Sequence, residues 1–146
     1  MTNLTVGDNA RAPQIMTITK TITFTGGAGA GAIGQVPVFS FSGLVHCVKL
    51  IPYCTVDLVS SGGTISLGHS LTVNALIAVT TASTVDAGMY WLTATPNNKF
   101  ITIPALLFNA IYKASMTIDV LTADVTAGTL VFYMEYYPIV PGAVVT

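Results

Sequence analysis

The stretch S-M-T-I-D-V-L (115–121), T-A-D-V-T-A-G (122–128), T-L-V-F-Y-M-E-Y-Y-P (129–138) decides the fold class. In its first run Met116, Ile118 and Val120 point one way, and Ser115, Thr117, Asp119 and Leu121 the other. In its last run Leu130, Phe132, Met134 and Tyr136 oppose Thr129, Val131, Tyr133, Glu135 and Tyr137. A period of two is the pleat of a strand, whereas a helix repeats every 3.6 residues. Asp124, Thr126 and Gly128 supply turn chemistry between the runs, so the stretch reads as a β-hairpin. It is also the most aromatic part of the chain, and it holds no catalytic constellation.

Working outward, strand signals dominate. Residues 14–25 alternate Met16, Ile18, Lys20, Ile22 and Phe24 against Thr17, Thr19, Thr21, Thr23 and Thr25, a threonine ladder typical of a strand. Residues 36–42 form a second strand, with Pro37 favouring an edge or a bulge. Residues 44–51 place Leu44, His46, Val48 and Leu50 opposite Val45, Cys47, Lys49 and Ile51, apolar on both faces like a strand covered on both sides. Residues 57–68 read as a hairpin turning at Ser61, Gly62 and Gly63. Residues 74–80 and 104–112 fit either a strand or a short helix.

The segment V-D-A-G (85–88) echoes V-T-A-G (125–128). Asp86 and Gly88 in one, and Asp124 and Gly128 beside the other, supply the same turn chemistry. Each turn is expected to launch an aromatic strand. The fold class is therefore all-β: one antiparallel barrel or jelly-roll-like sandwich of about eight to ten strands. Its domain spans residues 14–138. Residues 1–13 form an N-terminal arm, and 139–146 an apolar C-terminal tail suited to donation to a neighbouring subunit.

Composition limits function. The chain has 146 residues, of which 52 % are apolar and 8 % charged, with net charge −1. Soluble domains carry roughly 25 % charged residues. So little charge leaves surface that subunit contacts are needed to cover. The cations Arg11, Lys20, Lys49, Lys99 and Lys113 are scattered and make no basic field, which argues against nucleic acid. Residues 21–48 and 58–85 lack Asp, Glu, Lys and Arg, yet their Gly, Ser and Thr content argues against a transmembrane helix. No signal peptide opens the sequence. An outer-membrane barrel would also need export and a polar lumen.

Chemistry is sparse. G-G-A-G-A-G-A-I-G (26–34) contains a G-x-G-x-x-G spacing, but an extended Q-V-P-V follows where a nucleotide loop would open a helix, so it reads as a flexible loop. Cys47 and Cys54 are expected to be free, packed thiols. With His46 and His69 they make no recognisable metal-ligand spacing. No cofactor is implied. Asp8, Asp57, Asp86 and Asp124 sit in turn contexts, and Asp119 and Glu135 either oppose each other or face cations. No nucleophile or metalloprotease motif is present, so the expectation is a non-enzyme.

D-L-V-S-S-G-G-T-I-S-L-G (57–68), D-A-G-M-Y-W-L-T-A-T-P (86–96) and T-A-D-V-T-A-G-T-L-V-F-Y (122–133) resemble a group of small β-rich virion proteins encoded near the capsid genes of tailed bacteriophages. With the first strand and the glycine loop, the resemblance covers most of the chain. Met89 and Leu92 are more apolar than that pattern.

The resemblance implies a capsid decoration (cement) protein, made in the host cytoplasm and located on the virion surface. It implies a homotrimer that clamps major capsid protein subunits, with no nucleic-acid or membrane partner. Trp91, Tyr90, Phe132, Tyr133, Tyr136, Tyr137, Ile139 and Val140 are the expected contact residues. Two alternatives remain: a tail, baseplate or fibre component, and a small glycan- or ligand-binding barrel with Trp91, Tyr90, Tyr133, Tyr136 and Tyr137 around a pocket.

Overall fold

A computed structural model describes residues 14–99 and 101–146; the expected N-terminal arm lies outside the described residues. Ten strands follow in chain order: β1 (Met16–Thr23), β2 (Gly34–Phe39), β3 (Phe41–Ser42), β4 (Val45–Ser60), β5 (Thr64–His69), β6 (Thr72–Thr81), β7 (Phe108–Tyr112), β8 (Met116–Leu121), β9 (Val125–Pro138) and β10 (Val144–Val145). One sheet has the order β1-β9-β4-β7, a second β2-β8-β5-β6, and β3 with β10 forms a small ribbon. Every ladder is antiparallel. The chain is all-β, and its two sheets pack as a sandwich rather than closing into a barrel.

The pairing is nested. β1 pairs β9, β2 pairs β8, β4 pairs β7 and β5 pairs β6. Among the eight strands of the two larger sheets first joins last, working inward, which is the double-sheet order of a jelly roll. Only the innermost pair, β5 and β6, is a true hairpin.

Residues 115–138 are therefore not a hairpin. β8 lies in one sheet and β9 in the other, so the connection is an arch over the end of the sandwich. The inward rows, Met116-Ile118-Val120 and Leu130-Phe132-Met134-Tyr136, belong to facing sheets and are all buried. The expected hairpin at 57–68 is corrected in the same way: β4 and β5 also belong to different sheets.

The two arches lock together. The Ser60 hydroxyl accepts from Gly63 N–H (2.8 Å) and donates to the Asp124 carbonyl (2.7 Å). In the second arch Thr122 has φ 73°, and Ala123 N–H donates to the Leu121 carbonyl at 2.8 Å, closing a tight γ-type turn.

The glycine segment is part of this lock. Val125 N–H donates to Gly31 O (2.7 Å), and the Asp124 carboxylate accepts from Ile33 N–H (2.9 Å). Gly31 has φ 120°, and a Cβ there would collide with the Val125 carbonyl. The close approach of two backbones explains the glycine, with no phosphate required.

β4 is irregular against β9 at four places, and the first of them, with a mid-strand proline, shapes the outer face. Cys47 pairs with Tyr136 and Lys49 with Glu135, so Val48 is an extra residue, a β-bulge. The bulge resets the alternation: Val45, Cys47 and Leu50 face inward together, against the expected grouping of Leu50 with His46. Pro52 sits mid-strand opposite Phe132. Its carbonyl accepts from Trp91 N–H (3.0 Å), so its missing N–H faces residues 88–91 and removes no bond from the β4–β9 ladder.

The turn at Asp86 and Gly88 launches no strand, correcting the second half of the sequence echo. β7 pairs β4 only from Val45 to Lys49. Residues 88–91 satisfy the remaining edge: Gly88 N–H donates to Cys54 O (2.8 Å) and Cys54 N–H to Met89 O (2.8 Å). Tyr90 forms only isolated bridges, to Tyr53 and Asn97. Asp57, not Asp86, caps this turn, accepting from Ala87 N–H at 2.7 Å.

The ambiguous segments resolve as strand β6 and as a 3-10 turn (Ala105–Leu107) followed by β7. Within the C-terminal tail, β10 pairs β3, and Ala143 and Val145 are buried. Three of the four sheet edges carry features that hinder further pairing. β1 carries Lys20 on its core-facing row, β2 carries Pro37 and a bulge, and β6 has two register shifts.

Candidate interaction surface

The outer face of the β1-β9-β4-β7 sheet is open, and the register arranges its side chains in rows. Ile111, His46 and Tyr137 form the first row; Phe108, Lys49, Glu135 and Thr17 the second. Ile51, Tyr133 and Thr19 form the third; Tyr53, Val131 and Thr21 the fourth. His46 meets Tyr137 edge-on with ring centres 4.5 Å apart, and Tyr53 meets Tyr90 at 5.1 Å. Ile111 (64 %), Phe108 (50 %) and Tyr133 (42 %) are the most exposed apolar groups of these rows.

One ion pair sits among them, Lys49 Nζ to Glu135 Oε1 at 3.0 Å. Both side chains are about a third exposed, so the pair contributes under ~1 kcal/mol to stability. Its role on this face is to neutralise two charges where neighbouring groups are apolar.

Beyond β4 the face runs into a groove of about 360 Å³ lined by Ile51, Tyr90, Leu92, Lys99, Ile101 and Ile103. Four aliphatic chains and one ring set its character. Among the described residues the Lys99 amine is its only charged group. Such a lining is mainly apolar, with the Tyr90 hydroxyl and the Lys99 amine as its polar groups among the described residues.

The outer side of the second sheet is partly roofed. The Ser66 hydroxyl donates to Val73 O (3.0 Å), and a Cβ on Gly68 would collide with the Thr72 carbonyl, so the start of β6 folds over it. Asp119 lies on this side, 8 % exposed, its carboxyl pushed upward by burial. It is in a different sheet from Glu135, so the two acids do not oppose each other. Among the described residues no three His, Cys, Asp or Glu side chains converge as metal ligands, and no helix is long and apolar enough to cross a membrane.

The structure divides the expected contact residues. Tyr90, Tyr133, Ile139 and Val140 are exposed, and Tyr137 is half-buried. Trp91, Phe132 and Tyr136 belong to the core, with exposures of 0 %, 0 % and 6 %, and offer no surface. The indole Nε1 of Trp91 donates to Thr80 Oγ1 at 2.9 Å, which is why a bulky polar-tipped ring can sit there. These aromatics do not surround one pocket: of them, only Tyr90 lines the groove. Ile51, Tyr53, Phe108 and Ile111 were missed. The Val48 bulge that turns Ile51 and Tyr53 outward leaves no mark in an apolar sequence.

Of the expected turn residues, Gly62, Gly88 and Gly128 have positive φ, whereas Gly63 serves a close approach to Ala123 and Ser60. Cys47 and Cys54 are free and buried. Burial pushes the Cys47 thiol up to about 12 and the Cys54 thiol to about 11, from an ordinary 9.0. Burial raises Tyr112 as well.

A pH dependence follows. As pH rises past 9 the unfolded chain releases these protons first, so the unfolded state binds fewer and folding weakens. Stability is expected to hold below about pH 9 and to fall between 9 and 12. Urea midpoints at pH 8 and pH 10.5 check this; equal midpoints contradict it.

Comparison of the chain with protein-family models, curated proteins and solved structures finds no match.

Proposed function

We propose that this is a structural virion protein, a capsid decoration protein that binds the outside of a phage head and ties major capsid protein subunits together. The observation that carries the reading is the open apolar and aromatic face of the first sheet, on a chain with only five cations and six carboxylates in 146 residues. Exposed apolar surface on that scale marks a contact with other protein. The jelly roll is common among viral capsid proteins, though it also serves lectins and cupins, so it supports the reading by analogy alone.

The mechanism is mechanical. Burying the same face at many equivalent sites adds a modest free energy to each seam between capsid subunits. Blunted edges direct association to faces and grooves rather than to runaway strand addition. The protein acts as a homo-oligomer, with three-fold symmetry expected from the resemblance. Co-sedimentation with empty capsids tests the reading; a stable monomer that ignores capsids overturns it.

A further inference from the structure

We propose that the outer side of the second sheet holds a cation site, in which Asp119 supplies the charge and neutral oxygens of Thr117, Ser66 and Gln35 contribute further ligands to a hard ion of the calcium type. The site is independent of the capsid reading and goes beyond it.

Asp119 lies in β8, an interior strand of its sheet, and is 8 % exposed. Among the described residues no ion pair or hydrogen bond engages its carboxylate. A buried charge is paired, bound to a metal or neutralised. Burial pushes this carboxyl upward, towards the neutral form, so an ionised Asp119 costs stability until a cation joins it.

A second, independent observation comes from Thr117. It is 5 % exposed, and its Oγ1 is buried without a hydrogen-bond partner among the described residues. Residues two apart on a strand share a face, so Thr117 and Asp119 project to the same outer side, with Cα atoms about 7 Å apart. An oxygen of each can reach one ion between them.

The register supplies more oxygens. Asp119 stands between Gln35 of β2 and Ser66 of β5 in one cross-strand row. Side chains directly opposed in this way have Cβ atoms about 5 Å apart. Ser66 Oγ donates its proton to Val73 O (3.0 Å), which leaves its lone pairs available. Gln35 Nε2 donates to Ser70 O (3.3 Å), which leaves Oε1 as an acceptor. One carboxylate with hydroxyl and amide oxygens is the donor set of a hard cation, whereas a zinc site draws on nitrogen and sulfur. Neutral oxygens also explain why no convergence of three His, Cys, Asp or Glu side chains marks the place among the described residues. The start of β6 folds over this side, and both Asp119 and Thr117 are more than nine-tenths buried. A site so enclosed admits a small ion more readily than a lysine or arginine side chain from a partner.

Urea unfolding of the full chain at neutral pH, after metal is stripped with a chelator, tests the proposal without capsids. Calcium chloride is expected to raise the midpoint saturably, with a dissociation constant of about 0.1–1 mM, the range of weak calcium sites with few charged ligands. At about 100 times that constant, the unfolding equilibrium constant should fall about 100-fold. Asp119→Asn should abolish the response and, by removing an unpaired buried charge, be more stable than the wild type without calcium. Thr117→Val keeps the side-chain shape, so it should fold normally and bind calcium about tenfold more weakly.

A wild type that ignores calcium overturns the proposal, as does an equal shift with sodium chloride at the same ionic strength. So does an Asp119→Asn variant that responds like the wild type or is less stable without calcium, or a Thr117→Val variant that binds calcium as tightly as the wild type.

Discussion

Replacing Trp91 by alanine is expected to cost about 3–5 kcal/mol, enough to unfold much of a marginally stable domain. The indole is fully buried, and its Nε1–H is paired with a threonine hydroxyl that is itself 1 % exposed. Residues 85–99 contain no regular strand and lie along the edge of β4 through four backbone hydrogen bonds. Trp91 is their anchor in the core. Its removal leaves a large cavity and frees the segment that forms one wall of the groove. Trp91→Phe keeps most of the volume and loses the hydrogen bond, so its expected cost is about 1–2 kcal/mol. Urea unfolding followed by far-UV circular dichroism distinguishes these values. A loss under about 1 kcal/mol for Trp91→Ala would contradict its burial and place the ring on the surface.

Gly128→Ala has the second large expected effect. Gly128 has φ +117°, near the start of β9. An added Cβ would stand 2.6 Å from the Asp57 carbonyl oxygen and 2.8 Å from Leu58 Cα, both backbone atoms of β4. Strain at such a φ costs about 1–3 kcal/mol and overpacking a similar amount, so the substitution should remove about 3 kcal/mol or more. Gly62→Ala is the control: its φ is +96°, but the space around it is open, so only the strain applies. Equal losses for the two substitutions would refute the close approach of β9 to β4.

The all-β class was legible because amphipathic strands repeat every two residues, and β1, β8 and residues 129–137 of β9 do so without interruption. Pairing was not. Met116-Ile118-Val120 and Leu130-Phe132-Met134-Tyr136 carry the same inward pattern whether they share a sheet or face each other across the core. A short turn therefore looks alike as a hairpin and as an arch.

The bulge at Val48 was invisible because both faces of that stretch are apolar. The contact face was half legible for the same reason. Tyr133 and Tyr137 alternate cleanly with buried neighbours, while Trp91 lies where no period exists to say which way it points.

The most direct test of the central claim is co-sedimentation of the protein with empty phage heads, wild type beside Tyr133→Asp. Tyr133 is 42 % exposed at the centre of the open face, so a carboxylate there disturbs the surface and not the core. The account predicts saturable binding of the wild type to heads. It predicts binding at least tenfold weaker for Tyr133→Asp, the cost of burying an unpaired charge in a protein contact, with unchanged unfolding. Wild-type protein left entirely in the supernatant, or equal binding of the two proteins, would contradict it.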